Sequence, residues 1–331
     1  MIKGLYILDN SAYDKIYGED ERNEIAQHVD IYAPQQTPQS IRSNWDMLKE
    51  AQVIFSGWHM TKMDCEFLDA APNLKAVFYA AGTVKHFVTD GFWKRNIVLC
   101  SAYAANAVPV AEFTLAQILS CLKRQYFYAA EAKKNRTFVP LQCDVAGCFR
   151  SRVGIISYGE ISKIVIKLLK NFDINIYLNS GFVSYDDAEK LGVKLADIET
   201  IFRECDVVSL HSPLNERTNG MITGRHFEVM KKGASFINTA RGAIVREDEM
   251  ISVLKNRNDI FAMLDVTQPE PPLKESPLYD LPNVFITPHI AGSVCSECRR
   301  MAVYMISEFH RFRNNEPLQW QITKEKLQYL A

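Results

Sequence analysis

The 331-residue sequence has few cysteines, almost no excess of one charge and no long apolar run. Eight irregularly spaced cysteines are too dilute for the disulfide framework of a small secreted domain, so we interpret them as free thiols. With 38 Lys and Arg against 39 Asp and Glu, the chain lacks the basic excess typical of nucleic-acid binding. No apolar run approaches the roughly 18 residues that span a bilayer, and the N-terminal apolar stretch is too short for a signal peptide. We therefore predict a cytoplasmic protein with a small-molecule partner, no membrane contact and no nucleic-acid partner.

Two cysteine pairs lie close enough in the sequence to suggest zinc, namely Cys143 with Cys148 and Cys295 with Cys298. Neither pair has the tight spacing on both sides that zinc sites show. Free cysteine more often packs as a small apolar residue. We predict no metal site.

The order of apolar segments indicates the fold class. At about 150 residues per domain the length suggests two domains, and no repeat, low-complexity segment or Pro/Gly-rich linker divides them. Short, near-continuous apolar runs separated by helix-length segments are typical of parallel sheets covered on both faces. We therefore predict an α/β protein with two doubly wound parallel sheets. The predicted strands are 4–8, 53–55, 76–80, 97–99, 153–156, 174–178, 207–210, 235–238, 261–264 and 284–287.

Two helices help to define the domain organisation. Apolar residues cover nearly the whole circumference of 106–126, which predicts a helix buried on all sides, either in a core or at a subunit or domain interface. A second amphipathic helix is predicted over 296–312. We place a discontinuous first domain at 1–101 and 293–331, with a second domain at 102–292 inserted into it.

A strand, turn and helix over 153–172 carry an altered dinucleotide fingerprint. Ser157, Gly159 and Ser162 occupy the glycine positions of GxGxxG. Only Gly159 is retained, the glycine whose side chain would collide with the phosphates, and the helix N-terminus still offers N–H groups. A decayed site that binds nucleotide poorly is the alternative. The predicted cofactor contacts in this turn are Ser157, Tyr158, Gly159, Glu160 and Ile161.

The acidic residue that normally binds the ribose hydroxyls is missing after strand 174–178, where Asn179 and Ser180 follow instead. Either side chain can still form a neutral hydrogen bond. No Arg or Lys precedes Asp186 to attract a 2′-phosphate, so the sequence favours NAD without excluding NADP.

Three ionisable residues, Arg241, Glu270 and His289, each follow a predicted strand, where a doubly wound sheet binds its ligands. A planar guanidinium suits a carboxylate and its neighbouring carbonyl, and an imidazole exchanges a proton near neutral pH. A carboxylate beside the imidazole holds its tautomer and favours the imidazolium. This trio fits proton-coupled hydride transfer to a 2-keto acid.

Ordered motifs over most of the chain resemble the D-isomer-specific 2-hydroxyacid dehydrogenase family, which includes phosphoglycerate, D-lactate and glyoxylate/hydroxypyruvate enzymes. The motifs are APNLK (71–75), AG (81–82), NA (106–107) with VAE (110–112), SLHSPL (209–214), MKKGA (230–234), INTARG (237–242), LDV (264–266) with EP (270–271), LPNV (281–284) and PHIAG (288–292). The sequence departs from the family pattern at Ser157, Ser162 and Ser180.

The resemblance implies a flavodoxin-like substrate domain and a Rossmann NAD(P)-binding domain through which two copies form a homodimer. It implies that Arg241 orients the substrate, that His289 is the acid/base and that Glu270 is its carboxylate partner. Asp265 is expected to contact the nicotinamide carboxamide, and backbone N–H groups near Ala81 and Gly82 are expected to hold the substrate carboxylate. The other expected cofactor contacts are His211, Ser212, Pro213, Thr218, Thr239, Ala240 and Gly292.

Some alternatives stay open. His211 lies at a strand end where it can face the cofactor, but from the sequence alone we interpret it as a structural residue. Trp58 and His59 either set substrate choice or, for Trp58, simply pack as an aromatic side chain. A nicotinamide-binding sensor, similar to the corepressor branch of the family, is the alternative to an NAD-dependent oxidoreductase. A methyltransferase ranks last, because it would not require Arg, Glu and His after three strands.

Overall fold

The computed structural model describes residues 1–141 and 145–327, so Cys143 lies outside the described residues. The strands are β1 (Ile2–Ile7), β2 (Val29–Ile31), β3 (Val53–Ser56), β4 (Ala76–Tyr79), β5 (Val98–Ser101), β6 (Ser151–Ile156), β7 (Ile174–Asn179), β8 (Lys194–Leu195), β9 (Val207–Leu210), β10 (Ser235–Asn238), β11 (Phe261–Leu264) and β12 (Val284–Ile286). The α-helices are α1 (Asn10–Ile16), α2 (Glu19–Ala26), α3 (Pro38–Ser43), α4 (Cys65–Ala70), α5 (Asp90–Lys94), α6 (Tyr103–Leu122), α7 (Gln125–Asn135), α8 (Glu160–Leu169), α9 (Tyr185–Lys190), α10 (Ile198–Glu204), α11 (Gly224–Glu228), α12 (Glu247–Asn256), α13 (Cys298–Arg313) and α14 (Lys324–Leu327). Short 3-10 turns lie at Trp45–Leu48, Gly242–Ile244, Pro277–Tyr279 and Cys295–Glu297.

The chain divides into two compact units. Unit 1 comprises Met1–Asn106 and Ser293–Ala331, and unit 2 is the stretch Ala107–Gly292 between them. Each unit has one parallel sheet, which confirms the predicted α/β class with two doubly wound sheets.

Unit 1 has a five-stranded sheet in the order β2-β1-β3-β4-β5, the flavodoxin-like order. The register pairs Ile7 with Ser56, Ser56 with Tyr79 and Tyr79 with Ser101, so these carboxyl ends form one edge. The loops after Ser56 and Tyr79 carry Trp58 and Ala81 respectively. This edge is therefore where unit 1 presents its predicted substrate contacts.

Unit 2 has a seven-stranded sheet in the order β12-β11-β10-β9-β6-β7-β8. The strand order reverses between β6 and β9, because the chain goes outward from β6 to β7 and β8 and then returns to β9. Ligands of open α/β sheets bind at such a switch point, outside the carboxyl ends of the strands. Ile156, Leu210, Asn238 and Leu264 end adjacent strands there.

The helix predicted over 106–126 differs in length and burial from the one observed. α6 ends at Leu122, Arg124 takes a φ of 49°, and α7 begins at Gln125. Glu112 and Ala116 are exposed in the single chain, so α6 is not enclosed by the core on all sides, and burial of this face at an interface stays a prediction. Within the described part of the chain, α6 is also the one helix long and apolar enough to cross a membrane by length and composition. Since 56% of its most apolar stretch is buried in the protein, it has the character of a core helix.

Candidate active site

The altered fingerprint turn lies between β6 and α8, at the switch point of unit 2. Gly159 is the N-cap residue of α8 and makes no side-chain cap, and a Cβ at this position would meet nothing within 4 Å. The first turn of α8 thus faces open space with backbone N–H groups and the positive end of the helix dipole. This cradle fits a pyrophosphate.

The two serines that replace glycines are accommodated inside the turn. Ser162 is fully buried, and its Oγ donates to the Ser157 carbonyl oxygen at 2.7 Å. Ser157 takes a φ of 80°, a conformation that glycine adopts without strain and serine does not. The substitutions therefore leave the open space at Gly159 intact and place backbone strain at Ser157.

Polar but uncharged side chains lie at the carboxyl end of β7, where the ribose-binding acid is expected. Asn179 Nδ2 donates to the Ala196 carbonyl oxygen at 3.0 Å, and Ser180 Oγ accepts from the Phe182 N–H at 3.1 Å. Both side chains thus already form local hydrogen bonds. In the fingerprint turn itself, the Glu160 carboxylate lies 2.7 Å from Lys163 Nζ, and Lys163 Nζ lies over the Tyr158 ring.

The loop after β9 is held closed by its own hydrogen bonds. Thr218 Oγ1 donates to the Pro213 carbonyl oxygen at 2.5 Å, and Ser212 is buried. His211 is also buried and its Nε2 lies 2.9 Å from Ser209 Oγ, while its Nδ1 has no hydrogen-bond partner in the described chain. Burial lowers the pKa of His211 to about 4, so the ring is neutral at physiological pH.

Asn238 shapes the loop that carries Arg241. Its Oδ1 accepts from the Ala240 N–H at 3.0 Å and its Nδ2 donates to the Arg241 carbonyl oxygen at 3.1 Å. Thr239 Oγ1 lies 3.2 Å from Thr114 Oγ1 of α6. These contacts fix the backbone on both sides of Ala240, and Arg241 Nη1 donates to the Ala240 carbonyl oxygen. Nothing in the sequence around Asn238 indicated this role.

Burial and charge act in opposite directions on Arg241. Burial lowers the pKa of its guanidinium, and the nearby Glu270 raises it. Arginine stays charged in proteins, so the lowered pKa indicates a poorly solvated cation that favours an anionic partner. The following Gly242 has a strict steric role, because a Cβ there would lie 2.1 Å from the Thr267 carbonyl carbon.

His289 and Glu270 form a direct pair. His289 Nδ1 lies 2.6 Å from Glu270 Oε1, and the two side chains are 46% and 41% exposed. An ionised carboxylate can only accept, so the hydrogen lies on Nδ1 and Nε2 is the ring nitrogen left for a ligand. The pair can therefore hold and transfer a proton at Nε2.

Asp265 holds the loop in which His289 sits. Its Oδ1 accepts from Thr287 Oγ1 at 2.6 Å and from the Ile290 N–H at 2.9 Å, and its Oδ2 accepts from the Ala291 N–H at 2.9 Å. The His289 N–H also donates to the Asp265 carbonyl oxygen at 3.0 Å. His289 takes a φ of 53°, which this network maintains. Asp265, expected to contact the nicotinamide, thus has a buried carboxylate already committed to this loop.

The predicted substrate contacts of unit 1 follow β3 and β4. Ser101 Oγ donates to the carbonyl oxygens of Ala81 and Gly82 at 2.9 and 2.6 Å. The Ala81 N–H donates to the Tyr79 carbonyl oxygen, whereas Gly82 is half-buried beside open space. Gly82 is therefore the better placed of the two to receive an anion. Trp58 is partly buried against the unit 1 cores, and His59 is exposed with a φ of 63°.

Two points remain, namely the position of Gly292, an expected cofactor contact, and whether the described side chains could hold a metal ion. Gly292 is the last residue of unit 2, directly after the loop that Asp265 holds. Across residues 1–141 and 145–327, no three or more His, Cys, Asp or Glu side chains gather in a way that could hold a metal ion.

Comparison with known proteins gives one family by sequence and a similar fold among solved structures. Residues 115–291 match the family "D-isomer specific 2-hydroxyacid dehydrogenase, NAD binding domain". A D-3-phosphoglycerate dehydrogenase of Archaeoglobus fulgidus is 34% identical over 70% of this chain and 44% of its own length. A glyoxylate reductase of Thermococcus litoralis is 30% identical over 75% of this chain and 76% of its own length.

Among solved structures, the NAD-complexed D-isomer-specific 2-hydroxyacid dehydrogenase of Lactobacillus delbrueckii ssp. bulgaricus is similar in fold. Its TM-score is 0.78 at 19% identity, over 97% of this chain and 100% of that one. The chain spans about half the length of three D-3-phosphoglycerate dehydrogenases to which it is similar, 44% to 50%. With residues 115–291 matching the NAD-binding domain and the glyoxylate reductase covered over three quarters of its length, the chain belongs to the D-isomer-specific 2-hydroxyacid dehydrogenase family.

Proposed function

We propose that the protein is an NAD-dependent oxidoreductase that transfers a hydride between the nicotinamide and C2 of a small D-2-hydroxy acid or 2-keto acid. The observation that carries this proposal is the 2.6 Å contact between His289 Nδ1 and Glu270 Oε1. A histidine fixed in this way is the usual proton donor or acceptor for an oxygen that gains or loses a hydride at its carbon. Membership of the family and the half-buried, poorly solvated cation of Arg241 give independent support.

The cofactor proposal rests on the fingerprint turn. The backbone of Gly159, Glu160 and Ile161 at the start of α8 would hold the pyrophosphate, and Asn179 or Ser180 would bind the ribose. No Arg or Lys lies in 179–185 to attract a 2′-phosphate, which favours NAD. When bound, NAD(H) supplies or takes up the hydride.

His289 moves the proton in the proposed reaction. Glu270 keeps Nδ1 protonated and orients the ring, so Nε2 holds the proton that the substrate oxygen receives during reduction. In the opposite direction, Nε2 accepts the proton of the hydroxyl group. The carboxylate of Glu270 stabilises the imidazolium in both directions.

Arg241 binds and polarises the substrate. Its planar guanidinium can donate to the carboxylate and to the C2 oxygen of a 2-keto acid at the same time. Because the guanidinium is poorly solvated, its attraction for a negative charge that develops on that oxygen is stronger than it would be in water. Asn238 and Gly242 are positioning residues for this side chain.

The test is a substrate panel with the purified full chain. We expect NADH to be consumed with at least one small 2-keto acid, such as glyoxylate or hydroxypyruvate. In the reverse direction we expect NAD to be reduced by the D-isomer of a 2-hydroxy acid and not by the L-isomer. If NADH raises the melting temperature but no acid is turned over, the protein binds nucleotide without being an oxidoreductase, and the proposal is refuted.

We further propose a cytoplasmic homodimer formed through unit 2. None of the eleven residues of α7 is buried, although Tyr126 and Phe127 contact Phe285 and Phe261. Beyond α7, Phe138 and Leu141 are 94% and 78% exposed. A helix as short as α7 is marginally stable in water unless other residues pack on it. A second copy that covers α7 and the exposed side chains of Phe138 and Leu141 accounts for its stability. The double variant Phe138→Asp with Leu141→Asp should be monomeric by light scattering, and a dimer of unchanged strength would contradict the assignment.

A further inference from the structure

Cys295 and Cys298 bracket the 3-10 turn Cys295–Glu297 that leads into α13. The turn is closed by the Cys298 N–H, which donates to the Cys295 carbonyl oxygen. At a rise of about 2.0 Å per residue, the Cα atoms at the two ends of such a turn lie roughly 6 Å apart. A disulfide bridges Cα atoms separated by about 4.4 to 6.8 Å, so the backbone already has the required span.

The two thiols differ in accessibility. Cys295 is exposed, whereas Cys298 is 1% exposed and its Sγ lies 3.6 Å from the Ser293 carbonyl oxygen. Burial raises the pKa of the Cys298 thiol, and the Cys295 thiol adds to this effect, which indicates that the two groups are close. A reagent in solution therefore meets Cys295 first.

Four of the other described cysteines lack this arrangement. Cys100, Cys121 and Cys205 are buried, and burial raises the pKa of each thiol. Cys65 is exposed at the first residue of α4, but Leu68 occupies the position three residues later. Cys65 is thus a matched control, since it is an exposed cysteine at a helix start without a second thiol one turn away.

We propose that Cys295 and Cys298 form a reversible thiol–disulfide modification site, with Cys295 as the attacking thiol and Cys298 as the resolving thiol. Its co-reactant is a low-molecular-weight disulfide such as oxidised glutathione. A two-cysteine pair of this kind in an intracellular protein acts by transient oxidation and not as a permanent cross-link.

The exchange proceeds in two balanced steps. The Cys295 thiolate attacks one sulfur of oxidised glutathione, the S–S bond of the reagent breaks, and one glutathione thiolate leaves. Cys298 then loses its proton to water and attacks Sγ of Cys295, which displaces the second glutathione thiolate. The reagent gains two electrons and the protein cysteines together lose two hydrogen atoms.

Oxidation also changes the hydrogen bonds of Ser293, the residue at which the chain re-enters unit 1. The Cys298 thiol is the donor to the Ser293 carbonyl oxygen, and the Ser293 N–H donates to Asn106 Oδ1 at 2.9 Å. A disulfide has no S–H group, so the Ser293 carbonyl oxygen loses its bond from Cys298, whereas the Ser293 N–H keeps its bond to Asn106 Oδ1. The modification thus acts on the segment that directly follows Gly292.

The experiment is mass mapping of the native full chain after incubation with oxidised glutathione and quenching with a thiol-blocking reagent. We expect the peptide that contains both cysteines to lose two hydrogen atoms and to carry no glutathione. Reduced dithiothreitol should restore both thiols. Cys65 should carry a glutathione adduct, because no second thiol can release it.

The variant Cys298→Ser should trap glutathione on Cys295, and Cys298→Ala serves if serine disturbs the buried position. A wild-type protein in which Cys295 keeps a stable glutathione adduct, as Cys65 does, would overturn the proposal. So would a Cys295 that stays unmodified while Cys65 reacts. Both results can be read from the wild-type chain alone.

Discussion

Asp265→Asn tests whether the buried carboxylate of Asp265 positions the His289 loop. The amide oxygen of asparagine can keep the contacts with Thr287 Oγ1 and the Ile290 N–H, but its NH2 group then faces the Ala291 N–H. Ala291 is 3% exposed, so its N–H loses its acceptor without gaining water. An unsatisfied buried donor costs about 1–3 kcal/mol, and weaker hydrogen bonds to a neutral acceptor add to that cost. We expect the free energy of unfolding to fall by about 3 kcal/mol.

Urea unfolding and hydrogen exchange of the Ile290 and Ala291 amides measure this loss directly. Turnover should fall on the order of tenfold to a hundredfold, because a loosened loop misplaces His289, while the Kd for NADH stays unchanged. A rise in the Kd with full amide protection would favour the nicotinamide contact expected from the family resemblance and refute the positioning role. Asp259→Asn, at the opposite end of β11 and partly exposed, is the control and should leave both amides protected.

Three further substitutions test the stability of the site. Gly242→Ala should lower the free energy of unfolding by about 3 kcal/mol in urea titrations, since its Cβ would lie 2.1 Å from the Thr267 backbone; a neutral result would contradict the close approach. Ser157→Gly should raise the free energy of unfolding by about 1 kcal/mol, because glycine removes the strain of a φ of 80°, and a lower melting temperature would disprove this. Burial lowers the pKa of His211 from its ordinary value of 6.5 to about 4, so between these pH values the unfolded chain binds a proton that the folded chain does not bind. The stabilising effect of the neutral ring is complete above pH 6.5 and declines by about 3 kcal/mol as the pH falls to 4, and His211→Gln should lose this slope in melting curves.

The sequence was most informative about strands that are buried on both faces. Runs such as 207–210 and 261–264 coincide with β9 and β11, since a central parallel strand is covered on both faces and is therefore almost entirely apolar. The two strands that the pattern missed, β2 and β8, both lie at sheet edges and contain only three and two residues. An edge strand this short leaves no periodic signal.

The sequence pattern did not predict the break between α6 and α7, for a different reason. No glycine or proline marks it, and Arg124 adopts the left-handed conformation while its guanidinium lies over the Phe261 ring. The cation–π contact joins residues far apart in the sequence, so tertiary packing decides where the helix ends.

The sequence indicated the ionisable residues of the candidate site but not the uncharged residues that position them. Arg241, Glu270 and His289 could be selected from the sequence because each is ionisable and follows a strand. Asn238 and Thr287 fix the loops around two of them, but both are uncharged, and although Asn238 lies within the INTARG motif, nothing in that motif indicates its hydrogen bonds. Asn238 acts through hydrogen bonds within its own loop, whereas Thr287 bonds Asp265 after the neighbouring strand, a contact that depends on the register of the sheet.

The single-turnover rate of NADH oxidation in His289→Asn tests the central claim most directly. With a 2-keto acid that the wild-type chain reduces, removal of the proton donor at Nε2 should slow this rate by about 10²- to 10⁴-fold. The Kd for NADH should not change, because the fingerprint turn at Gly159 is untouched. A variant that oxidises NADH at the wild-type rate would contradict the assignment of His289 as the acid/base.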